Sequence, residues 1–196
     1  MLSPVLSEAR TKVGALRQRL RTSMRKFLGG TDYQRWGSAE GLSSGWDSRT
    51  EKIATLISPG VSVIEFGAGR MVLKRLLPEH CTYTPSDLVD RGGGTIVCDL
   101  NGRTLPPFPQ HDVAVFSGVL EYVNDVPRLI AHLSNSVGVV IASYAVTDCN
   151  KENRRGQGWV NDFSSARILD IFENAGFSCD YRGKWRSQVI YRFAKT

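Results

Sequence analysis

From Val61 onward, short apolar runs alternate with segments of helical period, and this alternation constrains the fold more than any other feature of the chain. VSVIEF (61–66), CTYTPSD (81–87), TIVCDL (95–100), DVAVFS (112–117) and VGVVIASY (137–144) read as strands. Several are apolar without alternation, the pattern of a strand covered on both faces, and such strands belong to parallel sheets flanked by helices. MVLKRLL (71–77) before Pro78, DVPRLIAHLS (125–134) and SSARILDIFENAGF (164–177) have helical period, the last with Ser164 at its N-cap and Gly176 at its C-cap. FSCDYRG and SQVIYRF then form an antiparallel closing pair. The pattern predicts an α/β, Rossmann-like, doubly wound, mostly parallel seven-stranded sheet with an antiparallel closing strand.

Two segments precede this domain (61–196). In residues 1–30 the apolar positions Leu2, Leu6, Ala9, Val13, Leu16, Leu20, Met24 and Phe27 recur at spacings of four and three, an amphipathic helical stripe that Gly29-Gly30 stops. The net charge of +6 resides there: Arg10, Lys12, Arg17, Arg19, Arg21, Arg25 and Lys26 oppose only Glu8, and the rest of the chain is neutral. A nucleic-acid footprint across the domain is therefore not expected. The arm suits packing against the domain or a second copy, which would make a homodimer; contact with an anionic membrane surface or an acidic partner is the other option, and nucleic acid the weakest. Residues 31–60 begin as a loop or short helix rich in Gly, Ser and Trp, then form a helix from Ser48 to Ile57 closed by Pro59-Gly60.

No apolar run approaches the ~20 residues that span a bilayer. The opening MLSPVLSEARTK carries Glu8 and lacks an apolar core, so no secretory leader is expected. Cys81, Cys98, Cys149 and Cys179 are far apart, without metal-ligand spacing. A cytoplasmic protein with reduced thiols and no metal is expected.

Acids close three successive strands: Glu65, Asp87 and Asp99. In an open parallel sheet, ligands lie beyond the carboxyl ends of the strands, where the strand order reverses. Gly67 and Gly69 allow a tight turn and close backbone approach to a ligand. Asp87 stands where a carboxylate can accept from both hydroxyls of a ribose; Asp99 can accept from an exocyclic amine, with Leu100 covering an adenine face.

The set E65-F-G-A-G69, P-S-D87-L, C-D99-L, F116-S-G-V-L-E-Y-V-N-D-V-P and W159-V-N-D-F-S-S-A-R-I-L-D-I-F-E-N-A-G-F resembles a class I S-adenosylmethionine-dependent methyltransferase of the small-molecule type, over roughly residues 45–193. The resemblance implies that Glu65, Gly67 and Gly69 line the methionine part of S-adenosyl-L-methionine, with Glu65 receiving its ammonium. It implies that Asp87 holds the ribose, Leu88 lies against the adenine, and Asp99 and Leu100 meet the adenine edge. Ser117 and Gly118 would pass beneath the sulfonium. Met71 departs from the pattern, which often has a third glycine there. A nicotinamide dinucleotide is the rival ligand, but its hexad needs a small sixth residue where this chain has Val72, and Glu65 would repel the pyrophosphate.

Methyl transfer from a sulfonium is an in-line displacement that chiefly requires positioning, so a base is optional. His80 and His111 fall before strands, at the end of the sheet away from the site, and His132 lies inside a helix. Tyr144 and Asp148, just beyond the fifth strand, are the candidate bases. Tyr33, Trp36, Trp46, Tyr122 and Trp159 are the candidate acceptor-binding residues; their faces suit sugars, planar rings and quaternary cations alike. Arg35 or Arg49 could pair with the cofactor's carboxylate or an acidic acceptor, and NKENRRGQG (150–158) could form a lid over the site. The function expected is methyl transfer to an O or N atom of a small molecule, such as a sugar or secondary metabolite. The alternatives are a protein or RNA methyltransferase tethered by the arm, or a non-catalytic protein with a degenerate site.

Overall fold

A computed structural model describes residues 4–38 and 40–196, with side chains described from Val13 onward. Leu2, and the side chains of Leu6, Ala9, Arg10 and Lys12, thus lie outside what is described. In chain order the elements are α1 (Pro4–Leu28), α2 (Tyr33–Trp36), α3 (Asp47–Ala54), β1 (Ser62–Phe66), β2 (Thr82–Asp87), β3 (Ile96–Val97), β4 (His111–Ser117), α4 (Val126–Leu133), β5 (Val137–Tyr144), α5 (Ser165–Glu173), β6 (Phe177–Trp185) and β7 (Gln188–Lys195).

The strands form one seven-stranded sheet in the order β3-β2-β1-β4-β5-β7-β6. β1 pairs in parallel with both β2 and β4, β5 continues the parallel set, and β7 inserts antiparallel between β5 and β6. The order reverses between β1 and β4, so the crevice for a ligand opens above their carboxyl ends.

Period-two alternation divides the core. Ile64, Phe66, Ala114 and Phe116 face α4 and α5, where Phe66 stacks on Phe116 with ring centroids 4.8 Å apart. Val63, Val113 and Val115 face Ile53 of α3 and Leu73. Glu65, two residues after Val63, therefore lies on the α3 side at the strand's tip. Asp125 caps α4 by accepting from the Arg128 backbone N–H at 3.0 Å. Ser164 caps α5 in the same way through Arg167, at 3.1 Å.

The sequence expectation fails at three elements. MVLKRLL forms only a 3-10 turn, Leu73–Arg75. Met71 takes a left-handed φ of 51°, and the eight residues between Gly69 and Pro78 leave little length to recover a helix. TIVCDL contributes two strand residues, so Asp99 lies past the end of β3 rather than on it.

The third departure is α1. The described part of its apolar stripe packs on nothing in the domain: Val13, Leu16, Leu20, Met24 and Phe27 are exposed, Phe27 to 85%. The opposite face docks instead, burying Thr22. Arg25 pairs there with Asp32, and Lys26 with Asp162 at 3.2 Å. Carboxylates on the domain surface select the polar face of the helix.

Candidate active site

A cavity of about 350 Å³ opens above the β1–β4 crevice, within the size range of small-ligand pockets. Its floor is two bare turns. Gly67 and Gly118 both have left-handed φ, at 65° and 69°. A Cβ on Gly67 would lie 2.6 Å from Val119, and one on Gly118 would lie 2.3 Å from the Arg49 guanidinium. Neither turn admits a side chain, so backbone lines the floor.

Glu65 is 3% exposed. Its Oε2 accepts from the Tyr83 hydroxyl at 2.5 Å, and Oε1 has no protein partner among the described residues. Burial pushes its carboxyl up to about 8, outweighing the Tyr83 hydrogen bond and the Arg49 charge, both of which pull it down. An empty site thus holds a largely neutral acid at pH 7, and a cation brought beside it restores the charge. The full negative charge expected to repel a pyrophosphate is correspondingly weaker. A dinucleotide is disfavoured for a different reason: the glycine turn is not followed by an α-helix whose N-terminus could receive phosphate.

Asp87 does more than the sequence implies. Its Oδ2 accepts from the Gly69 backbone N–H at 2.7 Å and thereby ties the glycine turn to β2. Its Oδ1 accepts from its neighbour Leu88 N–H at 2.7 Å and from Arg91 at 3.4 Å. A carboxylate offers about four lone-pair sites, so one on Oδ2 remains for a ligand hydroxyl. Ser86, the residue before it, is in register with Phe66, and its Oγ is buried without a partner. Asp99 lines the cavity too, but holds the segment that covers it: Oδ1 accepts from Thr31 Oγ1 at 2.6 Å and Asn101 N–H at 2.9 Å, and Oδ2 from Tyr33 at 3.1 Å.

On the α3 side Arg49 is 6% exposed, between the rings of Trp46 and Trp185 at 5.9 and 5.3 Å. It donates to Ser117 Oγ, the Ser117 carbonyl and Gln188 Oε1 at 3.1, 2.9 and 3.1 Å. Gln188 in turn donates to Glu121 Oε1 at 3.2 Å, which also accepts from the Ala145 N–H at 2.8 Å. One polar chain therefore joins α3, the ends of β4 and β5, and the start of β7. Burial lowers the Arg49 pKa and raises that of Glu121. Two guanidinium N–H groups of Arg49 remain for a ligand.

The cavity brings together Glu65, Gly67, Gly69, Asp87, Leu88, Asp99, Leu100, Ser117 and Gly118, and with them Trp36, Trp46, Tyr122 and Trp159. Arg35 also lines it, stacked on Trp36 at 4.5 Å and donating to the Gln157 carbonyl at 2.7 Å. Glu152 and Gln157 bring the 150–158 loop to its wall.

Three candidates lie elsewhere. Tyr144 is fully buried outside the cavity, donating to Asn161 and accepting from Arg154 at 2.9 Å and the Phe163 N–H at 3.1 Å; burial raises its pKa, which disqualifies it further as a base. Asp148 is exposed and accepts from the Ser165 N–H at 2.6 Å, so it supports α5. Tyr33 is half exposed and holds Asp99 rather than facing the cavity.

Trp185 and Gln188 line the cavity and hold Arg49, and the sequence reading does not single them out. They face each other across the hairpin turn Arg186-Ser187, where Arg186 takes a left-handed φ of 49°, and neither residue carries a sequence signal of its own.

No family model matches the chain, and no curated protein does. Among solved structures it is similar to the mitomycin 7-O-methyltransferase MmcR, with a TM-score of 0.68 at 13% identity, covering 93% of this chain and 67% of that one. It is similar also to the 1,6-didemethyltoxoflavin-N1-methyltransferase of Burkholderia thailandensis, whose structure holds S-adenosylhomocysteine; there the TM-score is 0.63 at 15% identity, over 100% and 92%. A third is the [4+2]-cyclase SpnF, at 0.62 and 12%, over 76% and 80%. At such identities the likeness is one of fold: the chain has the class I S-adenosylmethionine-dependent methyltransferase fold. The cyclase shows that this fold alone does not set the chemistry.

Proposed function

We propose that the protein is an S-adenosylmethionine-dependent methyltransferase acting on an O or N atom of a small molecule. One observation carries this: Glu65 Oε1 and one lone pair of Asp87 stand without a protein partner among the described residues, at a cavity floored by two side-chain-free turns. A nucleoside joined to a zwitterion supplies the donors such a site lacks.

Glu65 would hold the donor's ammonium and Arg49 its carboxylate, two opposite charges on the α3 side. Asp87 would accept from the ribose, with Leu88 and Leu100 against the adenine and Asp99 at its edge. When bound, S-adenosyl-L-methionine supplies an electrophilic methyl on a good leaving group. The chain's own contribution is then to orient. Backbone at Gly67 and Gly118 leaves room along the floor, and Trp36, Trp46, Tyr122 and Trp159 exclude water and hold an acceptor face in line. The covering segment, pinned through Asp99, leaves a volume that suits a small acceptor better than a macromolecule.

Calorimetric titration with S-adenosylhomocysteine tests the reading. Saturable one-to-one binding is expected, weakened by about tenfold or more in Asp87→Ala, which loses both the ribose contact and the Gly69 anchor. A wild-type titration without heat, in the absence of any change in an orthogonal binding assay, overturns it. Transfer of labelled methyl from the donor to a metabolite extract then tests the enzymatic step.

A further inference from the structure

We propose that α1 docks the protein on an anionic membrane surface. The inference is independent of what the cavity binds.

Spacings of three and four place Val13, Leu16, Leu20, Met24 and Phe27 on one face of the helix, and all five are exposed. Arg17 and Arg21 border this stripe on one side and Arg19 on the other, also exposed. No carboxylate among the described residues pairs with these three arginines. Residues 13–28 contain no acid at all. The opposite face, through Thr22, Arg25 and Lys26, is fastened to the domain. The helix is thus held along the protein surface with its apolar side outward for about 24 Å at ~1.5 Å per residue.

Such a surface matches a lipid interface at every point. The stripe enters the boundary between headgroups and acyl chains, while the flanking arginines stay at headgroup depth against anionic lipid. A second copy fits poorly, because pairing two stripes would bring the arginine columns together, and residues 13–28 offer no acid to oppose them. Nucleic acid would satisfy the arginines but leave Leu16, Leu20 and Phe27 in water.

The experiment is cosedimentation of the full chain with vesicles of phosphatidylcholine alone and with a third phosphatidylglycerol. Binding to the anionic vesicles is expected on the order of tenfold to a hundredfold tighter than to neutral ones, and to fall with salt. The double variant Leu20→Glu, Phe27→Glu should bind neither. The triple variant Arg17→Gln, Arg19→Gln, Arg21→Gln should lose the preference for anionic lipid. All substituted residues are exposed, so circular dichroism should show the wild-type thermal transition in both variants. No binding of the wild type to anionic vesicles overturns the proposal, as does undiminished binding by the double variant. A dimer that Leu20→Glu dissociates, or capture by nucleic acid, without vesicle binding would reassign the surface and equally overturn it.

Discussion

Glu65 is a carboxyl whose neutral form the fold favours, and this makes donor binding pH-dependent in a defined direction. Its folded pKa, about 8, lies above the ordinary 4.5. In the unliganded protein the folded state therefore keeps a proton that the unfolded chain loses. The stability this contributes is complete below the unfolded pKa and is lost as pH rises toward 8. A bound ammonium needs the carboxylate, so binding releases the proton. Affinity for S-adenosylhomocysteine should rise on the order of tenfold per pH unit between pH 6 and 7.5 and flatten above 8. Glu65→Gln should abolish the slope; calorimetry in buffers of different ionisation enthalpy would also count the proton. A flat wild-type profile would show that Glu65 does not meet the ammonium. The position of this residue was legible from sequence, because a strand pattern running into G-A-G places an acid at a tip. Its protonation was not, since that comes from burial by the assembled fold, which outweighs the opposing pull of Tyr83 and Arg49. Arg49 likewise has no local signature: its acceptors, Ser117 and Gln188, are 68 and 139 residues away.

The elements that apolar pattern alone could define, β1, β4, β5, α4, α5 and the β6–β7 pair, stand where the sequence places them. Those that failed are set by other forces. Residues 71–77 have helical composition, but the left-handed Met71 and Pro78 leave no room for a nucleated helix. The covering segment 31–46 has no periodicity to read, and it is positioned by polar contacts across the fold, chiefly Asp99 with Thr31 and Tyr33. That contact gives Asp99 a part the sequence does not show, as an anchor of the cover. Thr31→Val with Tyr33→Phe removes two side-chain hydrogen bonds, each contributing about 1 kcal/mol. Amide exchange across α2 should then accelerate by about tenfold while β1 and β4 keep their protection. Analogue affinity should fall severalfold. Unchanged exchange in α2 would mean that Asp99 does not secure the cover.

At the scale of the whole molecule, the domain and α1 are joined by contacts that contribute little. The ion pairs of Arg25 and Lys26 are partly exposed, and such pairs contribute about 0–1 kcal/mol each. From Val13 onward the apolar stripe contributes nothing to the domain's core, because it packs on none of it. Removing residues 1–28 should therefore cost about 1–3 kcal/mol, mostly from Thr22 and the Arg25–Asp32 pair, against the 5–15 kcal/mol typical of a domain. For a chain of this size that corresponds to a fall in melting midpoint of about 2–10 °C, with the transition still cooperative. Among the described residues the cavity's ionic and hydrogen-bonding groups all lie at Thr31 or beyond, so analogue binding should change less than about threefold. Vesicle binding should disappear in the same truncated protein. Scanning calorimetry, titration and cosedimentation on this one variant would thus separate a helix that serves the surface from one that serves the fold. Loss of the cooperative transition would place α1 among the structural elements of the domain.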